Sequence, residues 1–123
     1  MKELYDSAKI ALRDCMALKK SETLLVVTDD KPFDIGKALF EAGKNLAKDS
    51  FLLVMTEREV NGQEPPEAIA DLMIKYDAVI CPTAKSLTHT NARRNACKAG
   101  ARVATMPGIT NDVMIRTLKA DYH

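Results

Sequence analysis

The residues of this chain with the means to do chemistry gather between Thr83 and Thr110. Ser86, Thr88 and Thr90 place hydroxyls at alternate positions, His89 adds an imidazole, and Lys85, Arg93 and Arg94 add positive charge. They precede and open an expected helix. Free backbone N–H groups and the helix dipole attract negative charge at such a start. The chemistry this pattern suits is binding of an anion or a carboxylate. Ser86, Thr88, His89, Thr90 and Arg93 are therefore the candidate ligand-binding residues, with His89 able to act as a base or a hydrogen-bond donor. A structural reading stands beside it. Thr88 or Thr90 caps the helix, Arg93 and Arg94 form a solvated face, and His89 is a partly buried imidazole tied to the backbone.

Other site chemistries lack their residues. His89 and the terminal His123 are the two histidines, and no H-E-x-x-H occurs, so a histidine-based metal site is not expected. No metal ligand and no catalytic residue is assigned within the chain. The glycines at 36, 43, 62, 100 and 108 form neither G-x-G-x-x-G nor a phosphate loop, which argues against dinucleotide binding. Cys81 closes an expected strand and is followed by Pro82, without a nucleophile elbow. It reads as a buried thiol, and Cys15 and Cys97 as small buried hydrophobes.

The elements that must position these residues follow from periodicity. Leu4, Ala8, Ala11, Cys15 and Leu18 form one helical stripe. Thr23 to Thr28 is an apolar run without alternation, as expected of a strand buried on both faces in a parallel sheet. Asp29-Asp30-Lys31-Pro32 then supplies a capping Asp, with Pro in the first turn of a helix striped by Ile35, Leu39, Ala42 and Leu46. The cycle continues with a buried strand over 51–55, and Asn61-Gly62 signals a turn. Pro66 opens a helix with Ile69, Leu72, Met73 and Tyr76 on one face. A third strand spans 78–81. A helix over 91–99 follows, with Ala92, Ala96 and Ala99 inward and Gly100 as its stop. A fourth strand covers 101–105, and a last helix carries Val113, Met114, Leu118 and Tyr122.

Strands alternating with amphipathic helices predict right-handed β-α-β crossovers. The expected fold is α/β, a doubly wound, flavodoxin-like, open and mostly parallel four-stranded sheet with helices on both faces and a helix first. Residues 1–123 form one domain. The sheet is small for its class and the chain stops just after a helix, which suggests a domain of something longer. Ligands of such sheets bind off the carboxyl ends of the strands. That points to the loops Asp29-Asp30-Lys31, Thr56-Glu57-Arg58, Pro82 to Thr90 and Met106 to Asn111. Response-regulator receivers also carry an acidic pair after the first strand. Here Cys81 holds the place of their phosphorylated Asp, so a receiver-like shape is expected without receiver chemistry.

Composition narrows partners. A net charge of +1 and the absence of Trp argue against a nucleic-acid surface. No run is long enough for a membrane span. Three cysteines without a C-x-x-C pair, and no apolar leader, fit a reducing cytoplasm.

Leu24 to Asp30, Lys85-Ser86-Leu87-Thr88-His89-Thr90 with Ala92-Arg93-Arg94, Ala99 to Val103, and Met106-Pro107-Gly108-Ile109-Thr110 resemble the N-terminal domain of the aminopeptidase T (leucyl aminopeptidase, thermophilic metallopeptidase) family. The likeness runs through essentially the whole chain. It implies a hydrolase that removes N-terminal residues from peptides with two divalent metal ions, which activate a water and polarise the scissile carbonyl. The metal ligands of that family belong to its larger C-terminal domain, and no position here matches them. The implied partner is peptide substrate, with homodimer contacts as a further role. The residues themselves keep two other readings open. One is a stand-alone small-ligand or anion-binding module using Thr83 to Arg94. The other is a regulatory or dimerisation domain without a ligand.

Overall fold

A computed structural model describes residues 2–122, the side chains of 119–122 excepted. The expected inward place of Tyr122, and His123, lie outside the described residues. The order is α1 (Lys2–Ile10), a π-helical turn (Ala11–Cys15), β1 (Thr23–Thr28), α2 (Phe33–Leu46), β2 (Asp49–Val54), α3 (Glu67–Met73), β3 (Ala78–Cys81), α4 (Asn91–Lys98), β4 (Arg102–Thr105) and α5 (Asn111–Tyr122). The four strands are all parallel, in the order β2-β1-β3-β4. This is the open α/β sheet that the sequence predicts.

Period-two alternation along the strands builds two cores. Leu24 and Val26 of β1 join Ala78 and Ile80 of β3 on the face covered by α1, α2 and α5, with Leu4, Leu39 and Met114 above them. Leu25, Val27, Val79 and Cys81 face the other way, beneath Met73 of α3 and Ala92 and Ala96 of α4. β1 and β3 are central, so their apolar runs are buried on both faces, as expected. β2 is not. It is an edge strand, and its Phe51 and Val54 are 44% and 47% exposed. Its apolar run predicted full burial, but strand order leaves its outer flank open. Phe51 instead packs edge-to-face on Tyr76, with ring centroids 5.3 Å apart.

The first helical stripe holds through Ala11 and slips at Cys15, while Leu18, beyond the helix, lies in the core as expected. The amide of Met16 bonds to Ala11 O at 3.0 Å, five residues back, and this wider turn rotates the chain relative to an α-helix. Leu12 and Met16 become the inward residues, and Cys15 faces solvent, not the core. Two further inward expectations fail at the end of α4. Cys97 and Ala99 are exposed, because Ala92 and Ala96 already span the contact with the sheet. Gly100 closes that helix with φ +104°, a left-handed turn that glycine adopts without strain.

The amino end of the sheet is clamped. Arg102 donates from both terminal nitrogens to the two carboxylate oxygens of Glu22, at 2.9 and 2.8 Å, and from Nε to Met16 O at 3.0 Å. The guanidinium holds the Glu22 carboxyl down at about 2. Among the described residues no helix is long and apolar enough to cross a membrane.

Candidate functional site

Strand order sets the place of the site. β2 and β3 flank β1, and α2 and α4 leave β1 and β3 on opposite faces of the sheet. The crevice that results lies off the carboxyl ends of β1 and β3. A cleft of about 450 Å³ occupies this end, lined by Lys31, Pro32 and Asp34, by Thr83, Ala84 and Lys85, and by Gly108 to Asn111. Three of the four polar loops expected from the sequence thus meet in one cleft. The fourth touches it through Glu57, whose carboxylate lies 3.4 Å from Lys31 Nζ.

The walls are held by short bonds. Thr28 Oγ1 donates to Pro82 O at 2.8 Å, joining the ends of β1 and β3. Asp29 is fully buried, and its Oδ2 accepts from Ala84 N at 3.0 Å, while Oδ1 has no hydrogen-bond partner among the described residues. Thr83 Oγ1 donates to Lys85 O at 2.6 Å, and Gly108 N to Thr83 O at 2.9 Å. Gly108 takes φ +65°, so the Met-Pro-Gly turn needs its glycine. Thr110 Oγ1 caps α5 by accepting from Val113 N at 3.2 Å.

Asp30 does not cap α2. Pro32 is the N-cap residue, without a side-chain cap hydrogen bond. Asp30 is exposed while Asp29 is buried. Cys81 is the buried thiol expected, and burial pushes it up to about 12.

The five candidate residues lie just beyond the cleft, around the start of α4. Ser86 Oγ accepts from Thr88 N at 3.1 Å. Thr88 Oγ1 pairs with Thr105 Oγ1 at 2.7 Å, which ties this loop to the end of β4. Thr90 is buried and is the cap: its Oγ1 accepts from Arg93 N at 3.1 Å and donates to Leu87 O at 2.7 Å. Arg93 folds back, its Nε donating to Thr88 O at 2.6 Å. His89 is exposed, and its imidazole makes no hydrogen bond within the described residues. None of the five lines the cleft, which takes Thr83, Ala84 and Lys85 from the same loop.

Glu64 is the residue that sequence reasoning missed. Its Oε2 accepts from Asn91 N at 2.7 Å and its Oε1 from Ala92 N at 3.1 Å. The backbone donors expected to draw an anion at α4 are already satisfied by a carboxylate of the same chain. The segment that carries Glu64 is tied to Ser86 as well, through Asn61 Oδ1 and Gly62 N. Asn61-Gly62, legible as a turn, gave the one local sign that this segment folds back.

Among the described residues, no group of three or more His, Cys, Asp or Glu side chains is placed to hold a metal ion. No family model matches the chain. No curated protein matches it either. Among solved structures it is similar to wild-type AmpT from Thermus thermophilus, an aminopeptidase T, with a TM-score of 0.54 and 13% identity. The match covers 95% of this chain and 41% of that one, so the chain spans less than half the length of that protein. At this identity the likeness shows the fold.

Proposed function

We propose that this chain serves as the N-terminal α/β domain of a metal-dependent aminopeptidase, an enzyme that releases N-terminal residues from peptides. One observation carries the reading. The fold matches AmpT over 95% of the chain, and the two family-like blocks, Ser86 to Thr90 and Met106 to Thr110, sit on neighbouring loops at the carboxyl end of the sheet. In this reading the domain forms one wall of the peptide cleft. Among the described residues no cluster of side chains fits a two-metal centre, so no metal ligand and no step of the hydrolysis is assigned to them.

The test is the native product, isolated from source cells with an antibody against this domain. The expected result is a polypeptide two to three times this length that releases leucine from leucine p-nitroanilide and stops when metal is chelated. A native product of 123 residues without such activity would overturn the reading.

A second reading is favoured by the cleft itself. Lys31 and Lys85 line it, beside the starts of α2 and α5. Helix starts and ammonium groups together suit a small anionic ligand. A ligand that binds only the folded chain raises its thermal stability, so a rise in Tm with millimolar phosphate or small carboxylates supports this reading and a flat response removes it.

A further inference from the structure

We draw no further inference here: the strongest candidate, the cleft of about 450 Å³ between the starts of α2 and α5 at the carboxyl ends of β1, β3 and β4, belongs to the site already described and rests on helix starts and lysines alone, since Asp29 Oδ1, a buried oxygen near it without a partner among the described residues, is enclosed in the protein and does not line it.

Discussion

Glu64 closes the start of α4 across 27 residues of sequence, accepting from the amides of Asn91 and Ala92 with separate carboxylate oxygens. Those amides have no partner within the helix. A carboxylate there also meets the positive end of the helix dipole. Glu64→Ala is expected to destabilise the chain by about 1 kcal/mol, the usual worth of a cap. That corresponds to a fall in Tm of roughly 4 °C for a domain of this size. Phosphate is expected to recover more of that loss in Glu64→Ala than it adds to the unsubstituted chain. Equal responses of the two proteins in a thermal melt would show that the vacated amides hold no anion.

The fork between Arg102 and Glu22 sets a pH dependence at the opposite end of the sheet. The Glu22 carboxyl is lowered from 4.5 to about 2 by hydrogen bonds and charge from Arg102. A group depressed in the folded state contributes stability above its unfolded value and loses it as pH falls toward the folded one. The loss therefore falls between about pH 4.5 and pH 2. Arg102 is 42% exposed, so solvent screening limits the pair to about 1 kcal/mol. Urea midpoints at pH 6 and pH 3 are expected to differ less in Glu22→Gln than in the unsubstituted chain. An identical difference in both proteins would remove the fork as the cause.

Thiol reactivity separates the three cysteines. Cys15 and Cys97 are exposed, whereas Cys81 is buried with its thiol pushed up to about 12. The thiolate is the nucleophile, so Cys81 is inert in the folded state. At pH 8 an aromatic disulfide reagent is expected to modify Cys15 and Cys97 promptly and Cys81 only after denaturation. Prompt modification of Cys81, located by peptide mapping, would contradict the packing of β3.

Gly36 lies where α2 presses on β1. A Cβ built there would stand 2.8 Å from both Cβ and Cγ2 of Thr28, and that hydroxyl is already bound to Pro82 O. Gly36→Ala gains about 1 kcal/mol of helix propensity. It meets an overpacking cost of roughly 1–3 kcal/mol, because Thr28 cannot yield without breaking its bond. A net loss of stability is expected in urea unfolding, largest of all where the helix must also shift from the strand.

The balance of what was legible follows from range. Thr90 as a cap, Gly100 as a stop and the buried runs of β1 and β3 are local or near-local signals, and they hold. The outward turn of Cys15 depends on the short π-helical turn Ala11–Cys15, which leaves no mark on a pattern of apolar spacing. The exposure of Phe51 depends on β2 standing at an edge, a property of strand order and not of the strand. Glu64 is the sharpest case, since nothing near it in sequence shows that α4 is its partner. The loops of the site were legible because strand ends are. Which part of each loop faces the cleft was not, because that turns on bonds such as Asp29 to Ala84 across 55 residues.

His89 offers the cleanest functional test of the aminopeptidase reading, since among the five candidates it is the one whose side chain makes no hydrogen bond within the described residues. His89→Ala is expected to leave stability within about 0.5 kcal/mol, as an exposed substitution does. Arg93→Ala differs, because Arg93 also supports Thr88 O and its loss weakens the loop. If the aminopeptidase reading holds, contact between this loop and peptide in the native product predicts a fall in kcat/KM of about fivefold for His89→Ala, about 1 kcal/mol of lost transition-state stabilisation, at unchanged Tm. Arg93→Ala then lowers both kcat/KM and Tm. If kcat/KM stays constant in His89→Ala while Arg93→Ala loses activity only in step with stability, the loop supports the domain and does not touch substrate.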